Sequence, residues 1–169
     1  MTTDVTNLES MEVTLPPTLV AECRATSTAD SSAISAAVGR AFERIHAFQQ
    51  TNGITAAGPP RVVYTEWSPA GVHFTAAIPI AAAPPNVSTS PDVSIATIPE
   101  TQALRFQHRG PYREIRTTYG RIEAWLRARG GIKAPSDWVR YSPMGEEYMS
   151  DPATTPESEL LTRIYLTRP

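Results

Sequence analysis

The chain has 169 residues, a net charge of −2 at pH 7 and a single cysteine, Cys23. One cysteine excludes an internal disulfide, and the balance of fifteen basic and seventeen acidic residues leaves no concentrated basic face for nucleic acid. No apolar run approaches the roughly 18 residues needed to cross a bilayer, and the N-terminus has no signal-peptide pattern. We therefore expect a single-domain, cytoplasmic protein with no direct nucleic acid partner and no membrane partner.

The first third of the chain predicts a tail, an extended segment and a helix. Residues 1–10 are polar and predict a disordered tail. Residues 11–26 predict an extended segment that Pro16 and Pro17 interrupt. An apolar stripe at helical spacing from Ile34 to Phe48 then predicts a helix that stops at Asn52-Gly53.

The middle of the chain predicts a β-hairpin followed by a linker. Residues 61–68 and 72–80 are rich in β-branched and aromatic residues, and Pro69-Ala70-Gly71 joins them as a turn. Residues 81–91, AAAPPNVSTSP, contain Ala, Pro and Ser and no charge, so we predict a linker there.

The last part of the chain repeats this pattern. Residues 92–107 predict an extended segment, and Gly110-Pro111 opens a second helix whose apolar stripe runs from Tyr112 to Leu126. Further predicted strands or strand ends lie at residues 138–141, 146–149 and 160–167.

Two pairs of segments resemble one another and indicate a duplication. AFERIHAFQQTNG at residues 41–53 aligns with TYGRIEAWLRARG at 118–130, and MEVTL at 11–15 resembles PDVSI at 91–95. We predict an α+β fold of two strand–helix–strand–strand halves with pseudo-twofold symmetry, in which two helices lie on one side of a mostly antiparallel sheet. The single domain, 11–169, then comprises half one at 11–80, the linker at 81–91 and half two at 92–169. The seam between the halves is a natural place for a pocket.

The second half carries a recognisable combination of motifs. His108-Arg-Gly-Pro-Tyr112 at the helix start, Glu146-Glu-Tyr148, Asp151-Pro152 and a closing apolar strand follow in order. This combination resembles the GyrI-like small-molecule-binding family, which includes effector-binding domains of AraC- and MerR-type regulators and stand-alone gyrase-inhibitory proteins. The resemblance implies a duplicated fold with an aromatic-lined pocket between the halves that often holds an acidic residue.

That acidic residue corresponds to Glu146. Alternation along a strand puts Glu146 and Tyr148 on one face and Glu147 on the other, although the sequence leaves open which glutamate faces the pocket. A carboxylate beside aromatic rings suits a hydrophobic cation. The candidate ligand-binding residues are Glu146, Tyr148, Tyr64, Trp67, Phe106, Tyr112, Trp138 and Tyr141. The three histidines lack metal-ligand spacing, so we predict neither a metal nor a cofactor.

Three functions remain open at this stage. The first is a stand-alone protein that binds hydrophobic or cationic small molecules, for drug sequestration or sensing. Some relatives of the family hydrolyse cyclopropane-containing electrophiles, so the second is a hydrolase in which Glu146 activates water and Tyr148 or a tryptophan positions the ligand. The third is a protein-interaction inhibitor of DNA gyrase, which would require a protein partner.

Overall fold

The computed structural model describes residues 8–87 and 90–169. Over those ranges the backbone forms eight strands, two α-helices and three short 3-10 helices. The strands are β1 (Ser10–Leu15), β2 (Thr18–Ser27), β3 (Arg61–Ser68), β4 (Gly71–Pro79), β5 (Val93–Ile98), β6 (Thr101–Arg109), β7 (Met144–Tyr148) and β8 (Leu161–Thr167). The α-helices are α1 (Ser31–Asn52) and α2 (Ile115–Ala128), and the 3-10 helices span Tyr112–Glu114, Pro135–Tyr141 and Glu157–Glu159. Neither α-helix is long and apolar enough to cross a membrane, as judged over the described residues.

The chain divides into two compact units, one formed by a single segment and the other by two segments. The contiguous unit is Leu15–Thr101, and the split unit joins the N-terminal segment that ends at Thr14 to Gln102–Pro169. One unit is therefore continuous in sequence, whereas the other combines two distant segments.

In the contiguous unit the antiparallel strands follow the order β3-β4-β2-β5, and α1 packs on β2 and β4. The helix begins where the carboxylate of Asp30 accepts a hydrogen bond from the backbone N–H of Ala33 at 3.0 Å. It ends at Gly53, whose φ of 64° lies in the left-handed region that favours glycine. The predicted stripe is buried along α1, so its 3.6-residue spacing has the expected consequence.

In the split unit the strands follow the order β1-β6-β8-β7, with β8 antiparallel to both β6 and β7. Helix α2 buries Thr118, Ile122 and Leu126, and the last two join Phe106 and Ile164 in the hydrophobic core. The short Tyr112–Glu114 3-10 helix precedes α2 directly and contains no buried residue.

The two units share one topology, which confirms the predicted α+β fold and its duplication. Each contains a strand, a helix and two further strands in that order: β2-α1-β3-β4 and β6-α2-β7-β8. In each unit an additional strand lies beside the strand that precedes the helix, β5 beside β2 and β1 beside β6. The similar segments MEVTL and PDVSI supply residues to these two additional strands.

The units do not follow the predicted halves at those two strands. The sequence interpretation placed β1 in half one (11–80) and β5 in half two (92–169). In the structure β1 belongs to the split unit, and β5 pairs with β2 in the contiguous unit. Similarity between two segments indicates equivalent strands, but it does not specify the strand with which each one pairs.

The C-terminal end of the predicted tail also differs from the structure. Leu8 is 9% exposed and belongs to the core of the split unit, and Ser10 begins β1, so the predicted tail extends too far at its C-terminal end. Residues 1–7 of that tail lie outside the described residues, as do positions 88 and 89 of the predicted linker.

The prediction of a strand or strand end at residues 138–141 is wrong. Trp138 and Tyr141 lie in the Pro135–Tyr141 3-10 helix, where the Asp137 carboxylate accepts hydrogen bonds from the backbone N–H groups of Lys133 at 2.8 Å and Ala134 at 2.9 Å. These bonds close a turn, which excludes an extended ladder at this position.

Candidate functional site

A buried carboxylate on β7 forms the centre of the candidate site. Glu146 is 7% exposed and lies opposite Ile164 in the β7–β8 ladder. Its Oε1 atom accepts a hydrogen bond of 2.7 Å from the hydroxyl of Tyr119 on α2, and its Oε2 atom accepts one of 2.9 Å from the hydroxyl of Tyr148. Tyr148 reaches the same carboxylate because residues two apart on a strand share a face.

The environment of Glu146 changes its acidity. Burial raises the pKa of Glu146 above its ordinary value, because the charged form loses the stabilisation that water gives. Hydrogen bonds from Tyr119 and Tyr148, together with the electrostatic effect of His108, oppose that rise without cancelling it. A carboxyl group with a raised pKa keeps its proton to a higher pH than an exposed carboxyl group does.

A polar row continues from Tyr148 across the sheet. Thr162 pairs with Tyr148 on one side and with His108 on the other. The Nε2 atom of His108 lies 2.9 Å from the carbonyl oxygen of Pro111, and its Nδ1 atom lies 2.7 Å from the Thr118 hydroxyl. Since a carbonyl only accepts, Nε2 carries the proton, and in neutral His108 the Thr118 hydroxyl donates to Nδ1. The hydroxyl of Thr162 is buried and has no hydrogen-bond partner among the described residues.

Tyr112 packs against Tyr148. Its ring meets that of Tyr148 edge to face, with 5.5 Å between the ring centroids, and 37% of Tyr112 is exposed. Burial and the negative charge of Asp151 both raise the pKa of the Tyr112 hydroxyl. The structure therefore brings three of the predicted residues together: Tyr112 packs against Tyr148, and Tyr148 donates a hydrogen bond to Glu146.

Glu147 lies on the opposite face of β7 and has different partners. Its Oε1 atom accepts a hydrogen bond of 3.1 Å from Tyr165 and lies 3.7 Å from the Nη1 atom of Arg163. Both partners are on β8, with Arg163 directly opposite. The two adjacent glutamates are thus both buried, and they lie on opposite faces of the strand, as the alternation predicted. The hydroxyls of Tyr119 and Tyr148 donate to Glu146.

The other predicted residues lie elsewhere in the structure. Phe106 is fully buried in the core, with its ring 5.4 Å from that of Trp125, and Tyr141 is a core residue of the split unit. Trp138 packs against the same core as a partly buried residue. Tyr64 and Trp67 lie in the contiguous unit, where their rings meet edge to face at 5.2 Å.

The sequence interpretation missed the contribution of Tyr119, which it assigned to the core stripe of the second helix. The stripe is correct from Ile115 to Leu126 and wrong at Tyr112, which lies exposed in the 3-10 helix before α2. The stripe also carried a signal that could have identified Tyr119. A tyrosine on a buried stripe must find a partner for its hydroxyl, and Glu146 was the nearest predicted acceptor on a neighbouring strand.

Two surface grooves lie away from Glu146. One of about 470 Å³ runs along His108 and Thr118 in the split unit and is otherwise lined by Glu9, Gln107, Arg109, Glu114, Thr117 and Arg121. Another of about 570 Å³ lies in the contiguous unit, where its lining includes Arg24, Thr65 and His73. Neither groove includes a residue predicted to bind ligand. Among the described residues no group of three or more His, Cys, Asp or Glu is arranged to hold a metal ion.

The sequence matches the GyrI-like small molecule binding domain over residues 8–167. Because this match covers almost the whole chain, the protein belongs to the GyrI-like family. No curated protein sequence matches the chain significantly.

Solved structures with the same fold include EcmrR, a protein with a bound ligand and a hydrolase. The C-terminal domain of EcmrR has a TM-score of 0.71 at 17% identity, with 96% of this chain and 98% of that domain covered. EcmrR in its DNA complex has a TM-score of 0.73 at 16% identity, and the same share of this chain covers only 58% of the EcmrR chain. SAV2435, solved with bound tetraphenylphosphonium, has a TM-score of 0.56 at 10% identity, with 96% and 93% covered. A hydrolase from Listeria innocua has a TM-score of 0.55 at 14% identity, with 94% and 91% covered. At these identities the likeness establishes the fold alone.

Proposed function

We propose that this domain binds hydrophobic cations for sequestration or sensing, and that Glu146 selects the positive charge. The observation that carries the proposal is the buried carboxylate of Glu146, which accepts hydrogen bonds from the hydroxyls of Tyr119 and Tyr148. The ring of Tyr112 packs against that of Tyr148. SAV2435, which has the same fold, was solved with a hydrophobic cation, and this supports the choice of ligand class.

The chemistry of the site favours a cation over a neutral molecule of equal size. A buried carboxylate is unfavourable without a counter-charge, and a hydrophobic cation supplies one without itself being strongly hydrated. The faces of tyrosine rings attract cations by roughly 0.5–2 kcal/mol each, more where water is excluded. Both effects vanish for a neutral ligand, which retains only the apolar contact.

Calorimetry with tetraphenylphosphonium and with neutral triphenylphosphine oxide tests this function. We expect Glu146→Gln to weaken phosphonium binding by about 1–3 kcal/mol, the usual effect of losing a charged partner, and to leave the neutral compound nearly unaffected. Glu147→Gln is the matched control, because it removes a buried carboxylate from the opposite face of the same strand. Equal losses for both compounds in Glu146→Gln would show that the carboxylate does not select the ligand.

A second candidate function is hydrolysis of cyclopropane-containing electrophiles. The observation that favours it is the raised pKa of Glu146 beside two phenolic hydroxyls, which suits proton transfer. In such a reaction Glu146 takes a proton from water and the water oxygen bonds to a ring carbon. The electrons of the broken carbon–carbon bond then pass to the conjugated acceptor of the substrate, which Tyr148 protonates, and the proton that Glu146 took from water returns to Tyr148 through their hydrogen bond.

Mass spectrometry after incubation with a cyclopropane-bearing alkylating agent separates the two functions. A hydrolase releases the ring-opened, hydrated product faster than buffer alone, and Glu146→Gln loses turnover while it retains affinity for the intact compound. Product formation at the background rate in the wild-type protein would reject hydrolysis of that compound. Turnover that survives Glu146→Gln would instead reject Glu146 as the base.

A further inference from the structure

The candidate site is closed, so a ligand needs a route to it. Glu146 is 7% exposed, and both of its carboxylate oxygens already accept hydrogen bonds. The open groove beside His108 and Thr118 does not include Glu146. If the domain binds ligands at Glu146, as proposed above, at least one group that covers the carboxylate must move before a ligand can reach it.

Tyr112 is the least firmly held of the aromatic groups around Glu146. It lies over Tyr148, is more than a third exposed, and belongs to a 3-10 helix that has no buried residue. Two backbone hydrogen bonds hold this segment, from Glu114 to Pro111 at 3.0 Å and from Ile115 to Tyr112, and hydrogen bonds of the 3-10 type have poorer geometry than those of an α-helix.

The backbone on either side of this short helix is fixed. The backbone N–H of Gly110, whose φ is 121°, donates to the carbonyl oxygen of Leu160 at 2.8 Å, and His108 holds the carbonyl oxygen of Pro111. On the other side, α2 is secured by its buried face. Movement is therefore confined to Tyr112–Glu114, the segment that carries the ring.

One exposed ion pair ties this segment to another part of the split unit. Arg113 pairs with Glu157 in the Glu157–Glu159 3-10 helix, and the two side chains are 65% and 59% exposed. Exposed ion pairs are typically weak, so this contact can hold the segment without preventing thermal opening. We propose that Tyr112 is the movable cover of the Glu146 site and that the Arg113–Glu157 ion pair is the latch that holds it closed.

Hydrogen exchange on the ligand-free protein tests the latch by itself. We expect Arg113→Ala and Glu157→Ala each to raise amide exchange of residues 112–114 by about two- to fivefold, the factor that corresponds to an exposed ion pair. Arg127→Ala is the matched control, because it breaks the exposed Arg127–Glu123 pair within α2 and should leave this segment unchanged. The charge exchange Arg113→Glu with Glu157→Arg should restore slow exchange. Unchanged exchange of residues 112–114 in both single variants would overturn the latch.

Stopped-flow binding of tetraphenylphosphonium tests the cover. Loss of the latch should raise the association and dissociation rates together by about two- to fivefold, and leave the dissociation constant within about twofold, since only the barrier changes. Tyr112→Ala should accelerate both rates further. Rates that stay at wild-type values in Arg113→Ala, or a change confined to the dissociation constant, would overturn the gating role. Failure of the wild-type protein to bind the phosphonium would overturn the proposed function instead, and the exchange experiment would still decide the latch.

Discussion

The helix-facing sides of the strands in the two units have the same topology but differ in polarity. In the contiguous unit this side consists of buried apolar residues, with Tyr64 opposite Phe74 and Val62 opposite Ala76. In the split unit the corresponding side carries the row of Tyr148, Thr162 and His108, with Glu146 beside it. The sequence repeat aligns Ala41 and Phe42 of α1 with Thr118 and Tyr119 of α2, so α2 has hydroxyl groups where α1 has apolar side chains. Both units maintain a packed core, and in the split unit polar groups lie on the same face of the strands as Phe106 and Ile164.

The largest expected difference between the units concerns packing. Phe74 is 2% exposed, and Phe74→Ala should lower the free energy of unfolding by about 3–5 kcal/mol through cavity formation. Tyr148→Phe, which keeps the ring and removes one hydrogen bond to Glu146, should cost only about 1–2 kcal/mol. Urea denaturation of both variants measures the contrast. Equal losses would mean that the polar side of the split unit contributes as much to stability as the apolar side of the other.

The second expected effect is a pH dependence of stability that Glu146 contributes in the split unit. Because burial raises the pKa of Glu146 in the folded protein above its ordinary value of 4.5, this group favours folding most below pH 4.5. That contribution is lost as the pH rises through the folded pKa, when the buried carboxyl must ionise. Relative to Glu146→Gln, the wild-type protein should therefore lose stability with rising pH across this window.

Tyr119→Phe sharpens this pH test. It removes a hydrogen bond that opposes the shift, and so should move the window to higher pH. Chemical denaturation at a series of pH values measures both effects. A constant stability difference between wild type and Glu146→Gln would contradict the assignment of a raised pKa to Glu146.

The smallest expected effect concerns a single hydroxyl. Thr162→Val replaces a buried hydroxyl that has no partner among the described residues, so it should be neutral or stabilise the fold by up to about 1 kcal/mol. Thr118→Val, which removes the hydrogen bond to His108, should instead destabilise by about 1 kcal/mol. Thermal denaturation of the two variants distinguishes these outcomes. A clear loss of stability in Thr162→Val would show that the hydroxyl has a stabilising partner.

The sequence predicted those elements whose signals are local. The helix that ends at Asn52-Gly53 and the hairpin around Pro69-Ala70-Gly71 follow from periodicity and turn residues, and both are observed. The shared face of Glu146 and Tyr148 follows from strand alternation. Each of these features depends on residues close together in the chain.

Features that depend on tertiary contacts were harder to predict. The hydrogen bond from Tyr119 to Glu146 joins residues on a helix and a strand that no local pattern connects. The 3-10 helix that contains Trp138 and Tyr141 depends on hydrogen bonds to one carboxylate, that of Asp137, whereas the apolar residues alone suggested a strand. The partners of β1 and β5 likewise depend on the assembled sheets.

The exchange of β1 and β5 between the predicted halves has a consequence for the order of folding. The contiguous unit needs only residues 15–101, so all of its strands are available once the ribosome has released that segment. The split unit needs β1 to pair beside β6, which begins only at Thr101, and it also needs β8, which begins at Leu161. Closing so long a loop is entropically costly and slow. We therefore expect the unit with the apolar sheet face to form first and the Glu146 site to be completed last.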